Sequence, residues 1–359
     1  MQRVLFRILK WAGITLLSLM VVFFAVRRIG QNINNRTPKG GINESIYVDI
    51  NGSRQWISIY GQDRNNPVLL YLHGGPSSAT SLYDYAFTRK WADVYTVVTW
   101  DQRGCGKSYD KSHPQTITAD IMLQDGKAMT EFLRNHLQVD KITLLGHSWG
   151  SYFGANLALT HPEYFDAFIG TGQFIDEPEN EHRLYEAALT WSENDPEGRE
   201  EVEKWARSRE AEDADLLSGI LLRNSILERY GYDMMKDGTD YNILATVLFN
   251  PYYSLVDILT SMRDETDAFI PYSAFVASDG FKELSLLGRY DYAMPYFNIN
   301  GDQDYQTNYS LACEYFEQVN APVKQLFVIK DATHGLLESR SEEFSGYLHQ
   351  IAATDARLP

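Results

Sequence analysis

The feature that most constrains the fold is a pentapeptide near the middle of the chain, Gly146-His147-Ser148-Trp149-Gly150. It matches Gly-x-Ser-x-Gly, a sharp strand-to-helix turn that presents a serine hydroxyl above a sheet. Residues 141–145 before it read as a buried strand, and residues 151–159 after it read as a helix. The turn needs glycine on both sides because it is strained and neighbouring backbones crowd it. The pattern predicts that Ser148 is a nucleophile in a fold of alternating strands and helices. The alternative is that these residues form an ordinary Gly/Ser turn.

A serine nucleophile requires a base, and the base requires an acid that orients it. Residues 296–300 predict a strand that runs into Gly301-Asp302-Gln303-Asp304, a turn with two candidate acids. Residues 324–330 predict a further strand, which a loop containing His334 and Gly335 follows. A histidine in that position can reach a serine at the same edge of a sheet. We therefore predict His334 as the base, the alternative being a solvent-exposed loop histidine.

Acyl transfer also needs donors for the developing oxyanion. Residues 67–72 predict a strand that opens into His73-Gly74-Gly75-Pro76. Glycine lets backbone N–H groups approach a substrate oxygen without interference from a side chain. We expect one donor from the N–H of Gly75 and the other from the N–H of Trp149. His73 is interpreted as a structural residue that fixes the loop.

A third loop, residues 100–108, follows a strand predicted at 94–99 and ends in Gly106-Lys107-Ser108. A phosphate-binding P-loop is excluded, because that motif requires glycine where Asp101 stands. A dinucleotide-binding motif is excluded as well, because Tyr109 occupies its last glycine position. We interpret this segment as a structural loop that borders the active site, and we expect no bound cofactor.

Together these segments resemble the proline iminopeptidases, α/β-hydrolases of the S33 serine peptidase family. The segments that match are His73–Pro76, Asp101–Ser108, Gly146–Ser151 and the late Gly-x-x-Asp and His-Gly loops. The resemblance implies a Ser148-Asp304-His334 triad without a metal, Asp302 being the weaker candidate for the acid. It also implies release of an N-terminal proline from peptides. Ser77 stands where the family usually has glycine, which leaves the substrate open, and related sequences include esterases, amidases and lactonases.

The balance of charge limits the partners of the chain. Its 359 residues include 32 Lys and Arg and 48 Asp and Glu, and residues 1–40 hold seven of the basic residues and none of the acidic ones. The remainder therefore carries a formal charge of −23. This disfavours nucleic acid and suits neutral or cationic substrates, such as small molecules or short peptides with free amino termini. Two cysteines, Cys105 and Cys313, do not make a disulfide framework.

The N-terminus predicts a membrane anchor. Residues 11–26 form an uncharged apolar run of 16 residues with basic residues on both sides. A membrane span usually needs about 20 residues, and residues 4–8 can extend this run if the basic side chains snorkel. A cleaved signal peptide is the alternative, but Phe23 stands two residues before Ala25, where a cleavage site needs a small residue. We expect an uncleaved single-pass anchor, with the N-terminus inside and the catalytic domain extracytoplasmic.

The remaining pattern predicts the α/β-hydrolase fold, a mostly parallel sheet flanked by helices. Residues 45–50 and 55–60 predict a hairpin around Asn51-Gly52, residues 119–137 a helix, and residues 165–171 a strand. The segment 173–287 lacks strand alternation and is interpreted as an inserted helical cap. The predicted organisation is an anchor at 1–28, a linker at 29–44, a core in two parts at 45–172 and 288–359, and the cap between them.

The cap begins with an acidic stretch that includes Glu179 and Glu181. In the iminopeptidases, cap carboxylates are expected to bind the free amine of the substrate, so either residue is a candidate. The alternative is a solvated helix start that the helix dipole favours. The sequence thus predicts a serine hydrolase, with an aminopeptidase, an esterase or lactonase, and a non-catalytic membrane-tethered binding protein as the alternatives.

Overall fold

The computed structural model describes residues 2–113, 115–210 and 216–355, and it is built around one eight-stranded sheet. The strands are β1 Ile42–Ile50, β2 Ser53–Gly61, β3 Val68–Leu72, β4 Thr96–Asp101, β5 Ile142–His147, β6 Phe165–Thr171, β7 Tyr296–Gly301 and β8 Lys324–Ile329. Their order across the sheet is β1-β2-β4-β3-β5-β6-β7-β8. Strand β2 is antiparallel to β1 and β4, whereas all later neighbours are parallel. The predicted fold class, a mostly parallel sheet, is confirmed.

Helices flank the sheet and form the insertion between β6 and β7. They are α1 Gln2–Asn34, α2 Tyr85–Thr88, α3 Ala119–Leu137, α4 Trp149–Thr160, α5 Glu177–Trp191, α6 Pro196–Glu210, α7 Leu216–Arg229, α8 Ile243–Leu248, α9 Leu255–Ala277, α10 Asp279–Lys282, α11 Tyr309–Gln318, α12 Leu336–Ser339 and α13 Ser341–Asp355. The predicted helix at 119–137 and the predicted strand at 165–171 are confirmed to the residue.

The predicted hairpin is confirmed, although its strands are longer than the pattern indicated. The register pairs Ile42 with Gly61 and Ile50 with Ser53. The connecting residues Asn51 and Gly52 have φ values of 47° and 74°, as a two-residue type I′ turn requires. The hairpin forms the first edge of the sheet.

Alternation along the strands builds a hydrophobic core on each face of the sheet. In β3, Leu70 and Leu72 enter a cluster with α3 and α4, whereas Leu69 and Tyr71 enter a second cluster with α2 and α13. Successive side chains of a strand point to opposite faces, so β3 is buried on both sides. This two-sided burial explains its uninterrupted apolar sequence and holds the ends of the central strands rigidly.

The insertion between β6 and β7 is helical, as predicted for a cap. Helices α5 to α7 share a small core of their own, formed by Leu184, Ala188, Val202, Trp205, Ile226 and Leu227. The largest of these side chains, Trp205, is 2% exposed. The remaining cap helices, α8 to α10, lie between this cluster and β7 in the sequence.

The N-terminal helix differs from the prediction in its extent. Helix α1 continues through Asn34 and β1 begins at Ile42, so the predicted linker at 29–44 shrinks to residues 35–41. The extension is helical because it packs against the cap: Asn34 Nδ2 donates to Phe249 O at 2.9 Å, and Arg27 Nη2 donates to Tyr253 O at 2.8 Å. Over its apolar part, α1 is exposed and is long and apolar enough to cross a membrane.

Candidate active site

The predicted catalytic side chains follow different strands of the sheet. Ser148 directly follows β5, Asp304 comes three residues after β7, and His334 comes five residues after β8. Strands β5, β6, β7 and β8 are consecutive parallel neighbours, so their carboxyl ends meet at one edge of the sheet. Binding crevices in parallel α/β sheets lie at this edge.

Ser148 has the backbone of a strained elbow, with φ 57° and ψ −124°. Its N–H donates to Thr171 O on β6 at 3.0 Å. A methyl group at Gly146 would lie 2.1 Å from the carbonyl oxygen of Gly150, and one at Gly150 would lie 2.1 Å from the carbonyl oxygen of Leu72. Neither glycine can therefore be replaced without moving the turn. The predicted strand–turn–helix unit is confirmed, and Ser148 remains partly exposed at its tip.

His334 and Asp304 form a buried hydrogen-bonded pair. The distance from His334 Nδ1 to Asp304 Oδ2 is 2.8 Å, and each residue is 2% exposed. Burial alone would raise the pKa of Asp304, but the charge and hydrogen bond of His334, with hydrogen bonds from Thr307, hold that pKa below its ordinary value. An ionised Asp304 accepts the Nδ1–H of the imidazole and leaves Nε2 free to act as a base.

Asp302 has a different environment from Asp304. Its Oδ1 accepts a hydrogen bond from Asp331 N at 2.7 Å. This bond ties the turn after β7 to the turn after β8, and the side chain stays partly exposed. The structure therefore brings Asp304, and not Asp302, into hydrogen-bonding distance of His334.

His334 lies beside the segments that hold Ser148. His147 Nε2 donates to the carbonyl oxygen of His334 at 3.0 Å, and the two rings are 4.7 Å apart between centroids. Burial and the neighbouring His334 lower the pKa of His147 to about 3, so His147 stays neutral. Gly172 packs against both rings: a methyl group there would lie 2.9 Å from His334 Cε1 and 3.3 Å from His147 Cδ2.

Sequence reasoning assigned His147 and Gly172 no role. One sequence carries no signal that a histidine ring will be buried against a carbonyl group, or that the glycine after β6 will pack against another residue's ring. Only the fold reveals that both lie against His334.

The His73–Pro76 loop covers the serine. A methyl group at Gly74 would lie 3.0 Å from Ser148 Cβ, so the N–H of the next residue, Gly75, belongs to the same small region. On the other side, Trp149 is the first residue of α4, and the N–H of a first helical residue has no acceptor within its own helix. The two backbone donors predicted for the oxyanion, the N–H groups of Gly75 and Trp149, thus come from segments next to Ser148.

His73 and Gln102 connect the His73–Pro76 loop to the start of α4. The pKa of His73 is lowered to about 4 by burial, and its neutral ring lies 2.8 Å from Gly74 O and accepts from Gln102 N at 3.3 Å. The Gln102 side chain donates to His73 O at 3.2 Å and accepts from the Trp149 indole at 3.3 Å. The predicted structural role of His73 is confirmed, whereas Gln102 was missed.

Aromatic side chains of the cap pack against Trp149, the residue that follows the nucleophile. The Trp149 ring lies 5.5 Å from Phe275 of α9 and 6.2 Å from Phe281 of α10, measured between centroids. Phe275 also lines a cleft of about 580 Å³ between α9 and residues 115–120. The cap thus packs apolar side chains against the residue that follows the serine, and no pattern in the sequence indicated that Phe275 would lie there.

Both cap carboxylates predicted to bind a substrate amine are paired with arginine. Glu179 Oε1 accepts from Arg183 Nε at 2.7 Å on the partly exposed side of α5. Glu181 is buried, and its Oε1 accepts from Arg223 Nε at 2.9 Å. Each carboxylate therefore already has an arginine partner within the protein, although Arg183 also binds Glu314.

Glu181 belongs to a chain of contacts that reaches Asp304. Arg223 Nη2 donates to Gln306 O at 2.9 Å, and Gln306 N donates to Asp304 Oδ1 at 2.9 Å. The cap and the acid of the candidate triad are thus joined through two residues. We interpret Glu181 as a residue that anchors the cap.

Glu177, the first residue of α5, is paired more weakly with arginine than Glu179 and Glu181 are. Burial and the charge of Glu181 raise its pKa to about 7. The nearest arginine contact among the described residues is Arg209 Nη2, at 4.0 Å from Glu177 Oε2. Among the acidic residues at the start of α5, this carboxyl is the least neutralised by a partner.

Comparison with known proteins gives the same fold and indicates a hydrolase. A family model described as the alpha/beta hydrolase fold matches residues 67–211. A probable aminopeptidase of Bacillus subtilis is 25% identical over 80% of this chain and 89% of its own length. The proline iminopeptidase of Neisseria gonorrhoeae is 35% identical, but the match covers 36% of this chain and only 41% of that enzyme.

Solved structures agree on the fold. A proline iminopeptidase-related protein from Thermus thermophilus superposes with a TM-score of 0.57 at 20% identity, covering 88% of this chain and 98% of that one. The resemblance that the motifs indicated is therefore confirmed, and the chain carries the α/β-hydrolase fold of a hydrolytic enzyme.

Proposed function

We propose that this chain, a hydrolase of the α/β-hydrolase fold, is a serine hydrolase that acts through Ser148, His334 and Asp304. The observation that supports this proposal most is the buried 2.8 Å contact between His334 and Asp304, beside the elbow that carries Ser148. A histidine paired with an ionised carboxylate and a serine on a strained turn are the elements of acyl transfer through an acyl-enzyme.

The proposed reaction begins with attack of Ser148 Oγ on the substrate carbonyl. His334 Nε2 takes the hydroxyl proton and passes it to the leaving amine or alkoxide, which departs as the acyl-enzyme forms. Asp304 keeps the imidazole in the Nδ1–H form and stabilises its protonated state. The N–H groups of Gly75 and Trp149 stabilise the oxyanion. Water, activated by His334, then releases the acyl group.

The proposed substrate is a short peptide with a free amino terminus, cleaved by an aminopeptidase of the proline iminopeptidase type. Support comes from the Bacillus subtilis relative, a probable aminopeptidase aligned over 89% of its length. The acidic cap suits a cationic amine, and Glu177 is the proposed acceptor because its nearest arginine in the described part of the chain, Arg209, lies 4.0 Å away. Glu179 and Glu181 were the original candidates, but each already binds an arginine.

A second candidate is an ester hydrolase that acts on apolar acyl groups. The arginine pairing of Glu179 and Glu181 favours it, because it removes the two carboxylates expected to bind an amine. The cleft lined by Ile117, Pro271 and Phe275 favours it further, since apolar side chains there suit an apolar group.

A direct comparison of substrates separates these candidates. The full chain in detergent would be given proline arylamide, the same arylamide blocked at its amine, and a short-chain p-nitrophenyl ester, with Ser148→Ala as control. An aminopeptidase cleaves the free arylamide and rejects the blocked one, and Glu177→Gln raises its KM. Ester turnover without arylamide turnover would establish the second candidate. Activity that persists in Ser148→Ala would refute both.

We also propose that α1 crosses a membrane as a single-pass anchor and leaves the catalytic domain outside the cytoplasm. The apolar part of α1 is exposed to solvent in the folded chain. Retention of the full chain in membranes after alkaline carbonate washing, with the catalytic domain open to protease added outside the cell, is the expected result. Release by carbonate, or a protected domain, would contradict the proposal.

A further inference from the structure

The membrane-proximal end of α1 docks on one segment of the cap, residues 249–253. Asn34 bonds to Phe249 O, Gln31 Nε2 donates to Asn250 O at 2.9 Å, and Arg27 bonds to Tyr253 O. Gly30 packs so closely that a methyl group there would lie 2.4 Å from Phe249 Cδ1. The contact is therefore a fixed interface.

The order of these contacts gives the direction of the cap segment. As the α1 residue number falls from 34 to 27, toward the apolar run, its cap partner advances from Phe249 to Tyr253. Seven residues of helix correspond to about 10 Å along its axis. The cap segment thus descends along α1, and Tyr253 reaches the level of Arg27, the residue that follows the apolar run 11–26.

Helix α9 begins two residues after Tyr253, at this same level. A capping box between Ser254 and Asp257 fixes its first turn. Burial alone would raise the pKa of Asp257, but hydrogen bonds from Ser254 and the charges of Lys107 and Arg27 hold that pKa below its ordinary value. The first turn of α9 therefore lies close to the basic end of the proposed span.

Two large aliphatic side chains project from this turn. Val256 is 70% exposed and Leu259 is 69% exposed. They are three residues apart, which makes them neighbours on one face of the helix. Single exposed aliphatic residues are common on protein surfaces. Val256 and Leu259, however, form a pair, and they lie at the level where the proposed span leaves the hydrocarbon layer of the membrane. Their joint exposure at this level needs an explanation.

We propose that the first turn of α9 contacts the lipid bilayer, with Val256 and Leu259 inserted among the headgroups and upper acyl chains. The occupant is the phospholipid surface, because this face is continuous with the proposed span through the fixed α1 interface. The exposed Arg28, next to Arg27 at that end of the apolar run, suits an anionic headgroup layer. This inference rests on the proposal that α1 spans a membrane.

The contact would link the membrane to the site through one element. The same helix, α9, carries Phe275 against Trp149, the residue after the nucleophile. With its first turn anchored in the membrane interface, α9 holds the Phe275–Trp149 contact at a fixed height above the bilayer. Substrates that reach the site along the membrane surface would then meet the cleft beside Phe275.

Quenching of a fluorescent probe by lipid nitroxides tests the contact in the full chain. Cys313 is replaced by serine, Cys105 is buried, and a single cysteine is introduced by Val256→Cys or Leu259→Cys and labelled with an NBD probe. Phe23→Cys, within the apolar run, is the positive control. Gln318→Cys is the negative control, because it lies on α11 beside β7, six strand positions from β1.

Labelled protein is reconstituted in vesicles of phosphatidylcholine with a minority of phosphatidylglycerol, with and without shallow doxyl-phosphatidylcholine. We expect quenching at 256 and 259 to reach at least half of that at 23, and quenching at 318 to be negligible. Quenching at 23 with none at 256 or 259 would overturn this inference and leave the anchor standing. No quenching at 23 would overturn the anchor and the inference together. A blue-shifted but unquenched probe at 256 or 259 would show a protein partner, or a second copy, in place of lipid.

Discussion

At the scale of single residues, the two acids after β7 differ in burial and in their hydrogen-bond partners. Asp304 bonds to His334, whereas Asp302 bonds to the backbone of Asp331. We predict that Asp304→Asn lowers kcat about 10³–10⁴-fold, because an amide favours the wrong imidazole tautomer and cannot stabilise its charge. Asp302→Asn keeps an oxygen acceptor and should change kcat by less than about threefold.

Steady-state kinetics of the two variants on whichever substrate the enzyme turns over is the measurement. Equal losses in both variants would show that the turn as a whole, and not its contact with His334, supports activity. A larger loss in Asp302→Asn would contradict the assigned acid.

Gly172 offers a second residue-scale test, because it packs against the imidazole. Gly172→Ala would place a methyl group within 2.9 Å of His334 Cε1. We predict a loss of at least about tenfold in kcat, since small displacements of catalytic groups carry large rate penalties. Gly231→Ala is the matched control: Gly231 also has a positive φ, of 76°, but nothing in the described part of the chain lies within 4 Å of a methyl group there.

Both variants introduce similar backbone strain, so the comparison of kcat at equal thermal stability isolates the contact with His334. A Gly172→Ala enzyme as active as Gly231→Ala would contradict the packing of His334 described above.

Glu338 makes the stability of the fold depend on pH. Burial raises its pKa from 4.5 to about 7, and its Oε2 has no hydrogen-bond partner among the described residues. Between these pH values the folded state binds more protons at this site than the unfolded state, so this site lowers the free energy of unfolding as pH rises. We predict that Glu338→Gln is more stable than the parent above pH 7, by at most about 3 kcal/mol.

Thermal midpoints of both proteins at about pH 5 and about pH 8 give the measurement. The gap between the variant and the parent should widen at the higher pH. A gap that is independent of pH would show that Glu338 is not protonated in the fold.

At the scale of elements, one buried ion pair lies within the cap, between α7 and α5, and one near the surface joins α5 to α11 of the core. Arg223 and Glu181 are buried, each with a side chain 10% exposed, whereas Arg183 and Glu314 pair near the surface. Removing one member of a buried pair leaves an uncompensated charge. We predict that Arg223→Met lowers the free energy of unfolding by about 3 kcal/mol.

Arg183→Met is the matched control, and it should change stability by less than about 1 kcal/mol because an exposed pair is screened by water. Denaturant midpoints of the two variants give the comparison. Equal effects would indicate that the cap does not depend on the connection of Glu181 to the Asp304 loop.

The elements of the core were predictable because local patterns determine them. Asn51-Gly52 marks its hairpin, the glycines around Ser148 mark the elbow, and apolar periodicity marks α3. Strand β4 runs to Asp101, two residues beyond its predicted end, because Trp56 of β2 pairs with Asp101. That pairing joins residues far apart in sequence and leaves no local signal.

The cap was predictable as a helical insertion but not in its contacts. An arginine partner for Glu181 comes from Arg223, 42 residues away, and Phe275 reaches Trp149 only when α9 folds over the sheet. Such contacts depend on tertiary packing, which a single sequence does not reveal. For the same reason the sequence predicted acidic residues at the start of the cap but could not distinguish paired carboxylates from the weakly paired Glu177.

At the scale of the whole molecule, α1 is joined rigidly to the hydrolase. The sequence predicts a linker at 29–44, but three side chains of the helix end, those of Arg27, Gln31 and Asn34, bind the cap backbone. We predict that Gly30→Leu lowers the thermal midpoint by at least about 3 °C, because the larger side chain collides with Phe249.

Gly13→Leu is the control on the same helix, since no described residue lies within 4 Å of a methyl group at Gly13. Differential scanning of both variants in detergent gives the result. A midpoint that Gly30→Leu leaves unchanged would show that the anchor and the cap move independently.

The proposed mechanism depends above all on Ser148 as an activated nucleophile, and covalent labelling tests this most directly. The full chain would be incubated with a fluorophosphonate, which forms a stable adduct with an activated serine, and the modified peptide identified by mass spectrometry. We expect a single adduct on Ser148, lost in Ser148→Ala and slowed in Asp304→Asn but not in Asp302→Asn. A folded protein that forms no adduct, or one whose adduct persists in Ser148→Ala, would contradict the mechanism.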